Sequence, residues 1–264
     1  LEKMAPLLGL PALLEETALG QLAEKLADAV LGQLATSSHD LSSKRLDETE
    51  RGRDAVDAAV KEVHRCAKMG LRGLELSCSW DMDPMWHPSW DPFWEAVNEV
   101  QLPLHFHTFP TTSPIAREMA SGQVRRAAMF TGVSAFQMGL IHIVAAIIGA
   151  GVFDRYPNLK IALGESGVGW LPYALDRMDF EFEDRFRDLM KHKPSEYWQM
   201  HCKATFQYDV IGPMLVNTNN LMTEDTLMWG SDYPHTDGIW PESSKYIDEQ
   251  FTGLSAAQVK KITC

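Results

Sequence analysis

Two histidines separated by one residue stand near the middle of the chain. The run Leu104–Thr108 has the pattern of a short β-strand, and it contains His105 and His107. Side chains two positions apart on a strand point to the same face, so both imidazoles can enter one site. Imidazole nitrogen binds zinc and related divalent metals. The spacing therefore predicts a metal site at His105 and His107, with a hydrogen bond in the core as the alternative for either residue.

Two carboxylates follow further short apolar runs. Glu165 comes directly after the predicted strand Leu159–Gly164, and Asp232 follows the predicted strand Thr226–Gly230. A carboxylate beside a buried strand is costly unless a cation or hydrogen bonds compensate it. Glu165 is therefore a candidate general acid or base, and Asp232 a candidate metal ligand and catalytic group. His235 could orient Asp232 or the substrate. Helix capping for Glu165 and a cap or buried salt bridge for Asp232 are the structural alternatives.

An aromatic segment follows the first predicted strand, Gly73–Leu76. It contains Trp80, Trp86 and Trp90, together with His87. Such a loop could form a wall for a planar or apolar substrate, or it could be a structural cluster with no role in binding.

Strands and helices must alternate to bring the candidate residues together. Five strands are predicted, the fifth being Lys203–Tyr208, and helical patterns separate them. This alternation indicates a parallel sheet with helical crossovers, in which catalytic groups collect at the carboxyl ends of the strands. A closed barrel has eight strands, and the first fifty residues contain no convincing candidates. We favour a TIM-like (β/α)8 barrel whose N-terminal strands lie outside this sequence over an open α/β sheet.

The first 53 residues have a different character from the remainder. Apolar residues recur at steps of three and four from Leu19 to Leu34, which predicts an amphipathic helix. The polar stretch Thr36–Arg53 has the composition of a linker. We therefore predict a helical segment and linker over residues 1–53, and a barrel portion over residues 54–264.

The composition is that of a soluble globular protein. Hydrophobic residues make up 45% of the 264 residues, and the 36 acidic and 24 basic side chains give a net charge of −12. This charge argues against nucleic acid or an anionic membrane as a partner. The four cysteines form no CxxC pair, which is typical of free thiols in a reducing cytosol. We predict a cytoplasmic enzyme, a homodimer, with a small-molecule substrate.

Three stretches carry a resemblance to a known family. They are Leu102–Thr108, Phe153–Gly167 continuing to Tyr173, and Trp229–His235. Their order and motifs resemble the amidohydrolase-related (amidohydrolase-2) family, which includes aminocarboxymuconate semialdehyde decarboxylase and the resorcylate-type decarboxylases. The resemblance covers about residues 54–264.

The resemblance implies roles for individual residues. His107 and Asp232 match metal-binding positions of the family, whereas His105 matches no assigned role. Glu165 stands where several members carry a catalytic histidine. The early metal motif of the family, at the end of its first strand, is not found in this sequence.

The function implied by the resemblance is that of a divalent-metal enzyme, with Zn²⁺ as the expected ion, acting on a small carboxylated or aromatic substrate. Non-oxidative decarboxylation is favoured. Metal-dependent hydrolysis of a C–N, C–O or C–C bond is the first alternative, because Glu165 replaces the histidine. A non-catalytic relative with a decayed metal site is the second, because the early motif is absent.

Overall fold

The described part of the chain is built on one parallel sheet with helices between its strands. The computed structural model describes residues 52–77, 82–107, 121–217, 220–235 and 238–264. The strands are β1 (Leu74–Ser77), β2 (Leu104–His107), β3 (Ile161–Gly164), β4 (Cys202–Phe206) and β5 (Leu227–Trp229). The sheet order is β1-β2-β3-β4-β5, and every neighbouring pair is parallel. All five predicted strands are therefore confirmed, with ends that differ by at most two residues.

Helices connect the strands. Residues 52–68 form α1, and the others are α2 (Asp91–Val100), α3 (Gly122–Ala135), α4 (Ile141–Gly149), α5 (Val152–Arg155), α6 (Leu171–Glu181), α7 (Pro194–His201), α8 (Ile211–Met214), α9 (Ser243–Gln250) and α10 (Ala256–Thr263). A π-helical turn, Phe182–Phe186, extends α6.

The strand order decides between the two sheet topologies. Each strand pairs with the strand that precedes it in sequence, so every new strand is added at the same edge of the sheet. Right-handed crossovers then place successive helices on the same face, as in a barrel; doubly wound sheets reverse their strand order instead. The predicted α/β fold of the TIM-barrel type is confirmed, with five barrel strands in the described residues.

One face of the sheet is covered by the helices. Buried side chains from alternate strand positions, such as Leu104, Phe106 and Phe206, belong to one core cluster with helix residues that include Val97 and Trp198. The other strand positions are only partly buried or exposed. This alternation leaves the second face to polar side chains.

Two helices differ from their prediction. Between the fourth and fifth strands the sequence pattern predicts a helix around Pro213 to Leu221, and this prediction is wrong, because α8 is a single turn that ends at Met214. Asn and Thr residues that favour turns follow it from Asn217 onwards. In contrast, α7 was not predicted, although Pro194 at its first position and Glu196 in its capping box are typical of a helix start.

The N-terminal predictions lie outside the described residues. These are the apolar stripe Leu19–Leu34 and nearly all of the linker, so the domain boundary at residue 53 stays a prediction. Residues Ala55–Cys264 form one compact unit. No single helix in the described ranges is long and apolar enough to cross a membrane; α3 and the helical residues Gln137–Gly149 meet the length and hydropathy criteria only as a pair bent by 48°.

Candidate functional site

Four predicted site residues meet at the carboxyl edge of the sheet. His107 is the last residue of β2, and Glu165 directly follows β3. Asp232 lies three residues after β5, and a turn brings the backbone N–H of His235 to within 2.8 Å of the Asp232 carbonyl oxygen. Because parallel strands end at the same edge, these four side chains come from separate parts of the sequence to one place.

The Glu165 carboxylate lies between two imidazoles. Its Oε2 atom is 3.2 Å from Nε2 of His107, and its Oε1 atom is 3.7 Å from Nδ1 of His235. The same Nδ1 atom is 3.0 Å from Oδ2 of Asp232. The Glu165 side chain is only 9% exposed, whereas that of His235 is 61% exposed. The site thus combines a nearly buried carboxylate with imidazoles that are exposed to solvent, since the His107 side chain is also 41% exposed.

Both carboxylates stand on unusual backbone. Glu165 has a φ of 52° and Asp232 a φ of 58°, in the left-handed region. A non-glycine residue in this region costs about 1–2 kcal/mol. The third such residue in the described ranges, Gln101, ends helix α2. Local strain of this kind at two adjacent carboxylates is typical of functional sites, where the surrounding structure must hold it in place.

The donor set fits a divalent metal. Glu165, Asp232 and His235 each offer a ligand atom, and these three atoms lie within 4.8 Å of one another. Carboxylate oxygen and imidazole nitrogen are ligands that both zinc and manganese accept. Two carboxylates so close together also favour a cation between them, because their charges repel each other. His107 is outside this group of three, although it contacts Glu165.

His105 lies on the same face as His107 but in a different environment. The two rings are 6.4 Å apart between centroids. Nδ1 of His105 is 3.8 Å from Oε2 of Glu75, and its ring lies so close to Gly164 that a Cβ atom there would be 2.3 Å from Nε2. Burial lowers the pKa of His105 below its usual range, and Glu75 acts in the opposite direction. The structure therefore places His105 beside Glu75, not in the cluster of three donors.

The aromatic segment after β1 is divided between core and surface. Trp90 is buried and packs edge-on against Phe93, so for this residue the structural alternative is right. Trp86 is exposed, and His87 accepts a hydrogen bond from the backbone N–H of Ser89. Trp80 lies outside the described residues, and the substrate wall stays a prediction.

Sequence reasoning does not single out two residues that accept hydrogen bonds from the backbone at and after Glu165. Oγ1 of Thr205 accepts a hydrogen bond from the backbone N–H of Glu165 (2.8 Å). The carboxylate of Asp209 accepts hydrogen bonds from the backbone of the loop that follows Glu165. Asp209 comes three residues after β4, so the same rule that selected Asp232 could have found it.

Comparison with known proteins gives the family. A family model described as Amidohydrolase matches residues 51–264, which is most of the chain. The chain belongs to the amidohydrolase family. Among curated proteins, the amidohydrolase chain is similar to the gamma-resorcylate decarboxylase of Polaromonas sp. strain JS666, with 28% identity over 121 residues. That match covers 44% of this chain and 35% of the relative.

Solved structures share the fold of this amidohydrolase. One is a putative amidohydrolase from Staphylococcus aureus, with a TM-score of 0.62 and 23% identity over 78% of this chain and 67% of that one. Another is the 5-carboxyvanillate decarboxylase of Sphingomonas paucimobilis, with a TM-score of 0.61 and 22% identity over 77% and 59%. A third, a dihydroxybenzoic acid decarboxylase from Polaromonas sp. JS666, was solved with manganese and 2-nitroresorcinol; its TM-score is 0.60, with 21% identity over 78% and 63%.

The chain is shorter than these proteins. It spans about two thirds of the length of the solved relatives, and its match covers about a third of the curated one. At 20–23% identity, the solved structures establish the barrel fold.

Proposed function

We propose that this amidohydrolase is a divalent-metal-dependent carboxy-lyase that removes CO₂ from a small aromatic carboxylic acid. The observation that carries the proposal is the position of the buried Glu165 carboxylate, between His107 and His235 and beside Asp232. The similarity to decarboxylases of resorcylate and carboxyvanillate supports the substrate class. The predicted homodimer and cytoplasmic location stay predictions.

The metal would be held by Asp232 and His235, which offer donors within reach of one ion, and His107 is the further ligand that the family resemblance implies. Such an ion, when bound, polarises substrate oxygens and offsets the charge of the two carboxylates. Manganese is the ion named for two of the similar decarboxylases, so it is the first to test. The preference for Zn²⁺ stays a prediction.

Glu165 would carry the proton. In its protonated form it donates this proton to the ring carbon that bears the carboxylate group of the substrate. The bond from that carbon to the carboxylate then breaks, its electron pair returns to the ring, and CO₂ leaves. The resulting Glu165 carboxylate would regain its proton from solvent, because His107 and His235, 3.2 and 3.7 Å away, are assigned to the metal. General acid catalysis of this kind contributes about 10²–10⁴-fold to a rate.

The test compares Glu165→Gln with the wild type in manganese content and in CO₂ release from a panel of hydroxylated benzoic acids. We expect CO₂ release to fall by about 10²–10⁴-fold while manganese content is unchanged. Glu249→Gln is the matched control, because Glu249 is a surface residue paired with Lys245. An unchanged rate in Glu165→Gln would contradict the proposal. Loss of manganese in this variant would make Glu165 a metal ligand instead of the proton carrier.

Hydrolysis is a second candidate, and one observation favours it. A carboxylate flanked by two imidazoles can also take a proton from water, and Glu165 replaces the histidine that several family members carry. Product analysis separates the two reactions, because a hydrolase adds water to the substrate and releases no CO₂. If the wild-type chain binds no manganese or zinc, both proposals fail and the non-catalytic alternative is favoured.

A further inference from the structure

We propose that Asp209 is a positioning residue, which holds the loop that carries Glu165 so that this carboxylate stays between His107 and His235. The inference rests on the proposed role of Glu165. Asp209 lies in the segment after β4, which is the strand next to the one that ends before Glu165.

The Asp209 carboxylate accepts hydrogen bonds from three backbone N–H groups, two in the loop after β3 and one in helix α8. Its Oδ2 atom accepts hydrogen bonds from Val168 (2.7 Å) and Gly169 (2.6 Å), which follow Glu165. Its Oδ1 atom accepts one from Gly212 (2.8 Å), in helix α8. Hydrogen bonds to a charged acceptor are about twice as strong as neutral ones. One side chain thus joins the loop after β3 to the segment after β4.

Asp209 is itself anchored to the core. Its backbone N–H donates to Oε1 of Gln250 (2.6 Å), a fully buried side chain of helix α9. Nε2 of Gln250 donates to the carbonyl oxygens of Gln207 (3.0 Å) and Tyr246 (3.1 Å). All polar groups of the Gln250 amide are therefore engaged, so Asp209 has a rigid base against which the loop is held.

Glycines make the close approach to Asp209 possible. A Cβ atom on Gly169 would lie 3.2 Å from Oδ1 of Asp209. A Cβ atom on Gly212 would lie 2.2 Å from Cγ2 of Val168 and 3.1 Å from Oδ2 of Asp209. Side chains in place of Gly169 and Gly212 would push the loop after β3 away from the segment after β4. Contact with Asp209 thus accounts for Gly169, whereas Gly167 has a φ of 57° and a Cβ atom there would lie 3.0 Å from Oε1 of Gln137.

Thr205 holds the same loop at Glu165 and Ser166, ahead of the residues that bind Asp209. Its Oγ1 atom accepts the backbone N–H of Glu165 (2.8 Å), and its carbonyl oxygen accepts from the backbone N–H (3.0 Å) and Oγ (3.1 Å) of Ser166. Glu165 is in the left-handed region, so its conformation depends on these bonds and on those of Asp209. Loss of the hydrogen bonds to Thr205 or of those to Asp209 would let the backbone relax and move the Glu165 carboxylate away from His107.

The test uses Asp209→Asn, in which an amide group that donates hydrogen bonds replaces one of the two accepting oxygens. We expect the backbone amides from Glu165 to Trp170 to exchange with solvent about tenfold faster or more in the metal-free protein. A crystal structure of the variant should show Oε2 of Glu165 farther from His107 than 3.2 Å. On an accepted substrate, kcat should fall by on the order of 100-fold with manganese content unchanged.

The matched control is Asp179→Asn. Asp179 also accepts hydrogen bonds from a backbone N–H and a hydroxyl, those of Ser195 at the start of α7 (2.9 and 2.6 Å). This variant loses comparable bonds outside the Glu165 loop, and we expect exchange in that loop and kcat to stay as in the wild type. Equal effects of the two variants on the Glu165 loop would reduce Asp209 to a general stabilising role and overturn the inference.

Other outcomes are equally decisive. The inference is wrong if Asp209→Asn leaves both the exchange of the loop and the distance from Glu165 to His107 unchanged, or if the loop loosens and kcat does not fall. If Asp209→Asn does not fold, Gly169→Ala replaces it, because its Cβ atom would lie 3.2 Å from Oδ1 of Asp209 and so disturbs the contact between Asp209 and the Glu165 loop. If the wild type shows no turnover, the proposed function fails, and the exchange and the crystal structure alone decide the role of Asp209.

Discussion

Strand β2 presents two different surfaces from four consecutive residues. Leu104 and Phe106 point to the helix-covered face and are 1% and 0% exposed. His105 and His107 point to the opposite face, where the His107 side chain is 41% exposed and contacts Glu165. Because strand side chains alternate, neighbouring residues on one strand serve packing and chemistry separately.

The same division continues across the sheet. The register aligns Glu75, His105 and Lys203 in one row, with Ala162 between the last two. On the opposite face, the corresponding positions of the next row are apolar, and all of them except the partly buried Leu76 are buried. We call the face that carries Glu75, His105 and Lys203 the polar face, and the opposite face the helix-covered face. The comparison implies that substitutions on the helix-covered face change stability, whereas those on the polar face and its carboxyl edge change binding and turnover.

The largest expected effect is on the helix-covered face. Phe106→Ala removes a fully buried ring that lies against Trp94, and we expect the free energy of unfolding to fall by about 3–5 kcal/mol. His107→Ala, one residue away on the polar face, should cost less than about 1 kcal/mol because its side chain is partly exposed. Urea unfolding of both variants measures the difference. Equal losses would mean that the polar face also carries the packing of the sheet.

A second prediction concerns the ion at the carboxyl edge. Asp232→Asn removes a charged donor from the group of three, and we expect Mn²⁺ affinity, measured by calorimetry, to fall by at least about 100-fold. Asp225→Asn is the control, because Asp225 pairs with Lys261 away from the site. Unchanged Mn²⁺ affinity in Asp232→Asn would remove this residue from the metal site.

The Mn²⁺ affinity of His105→Ala tests whether His105 is also a metal ligand. The strand pattern predicted His105 as a ligand together with His107, whereas the structure places its ring against Gly164 and near Glu75. We therefore expect a much smaller change in Mn²⁺ affinity than in Asp232→Asn. A loss as large as that of Asp232→Asn would restore His105 as a metal ligand.

The strands could be predicted because their signal is local. Each is a short segment whose apolar residues are consecutive or alternate with polar ones, and the carboxyl-edge rule then selects Glu165 and Asp232 without any knowledge of contacts. The left-handed backbone of both residues could not be predicted, since it depends on partners distant in the sequence. Thr205, for example, is 40 residues from Glu165.

Other features escaped prediction because one residue type suits several environments. Trp90 is in an aromatic segment that could have lined a substrate pocket, yet its contacts with Phe93 and Trp94 place it in the core. Asp209 follows β4 just as Asp232 follows β5, but its carboxylate is directed at backbone N–H groups. The sequence locates such residues at the edge of the sheet, and only the contacts distinguish a binding group from a positioning one.

The smallest expected effect contrasts two histidines at opposite ends of the sheet. His107 lies at the carboxyl edge, whereas His201 precedes β4, with its Nδ1 atom 2.9 Å from the carbonyl oxygen of Leu159 and its ring stacked on Phe153. Burial is the main cause that lowers the pKa of His201 below its ordinary value of 6.5. Folding therefore favours the neutral form of this imidazole.

The sign of the pH effect follows from this lowered pKa. Below pH 6.5 the unfolded chain binds a proton at His201 that the folded chain resists, so the stability present above this pH is lost as the pH falls toward the folded pKa. Urea unfolding at about pH 7.5 and about pH 5.5 should show a smaller loss of stability for His201→Gln than for the wild type. Burial also lowers the pKa of His105. This residue would therefore account for part of the pH dependence of stability that remains in His201→Gln. If the free energy of unfolding changed equally with pH in the two proteins, His201 would titrate normally in the folded protein. The packing around Phe153 would then accommodate the charged ring.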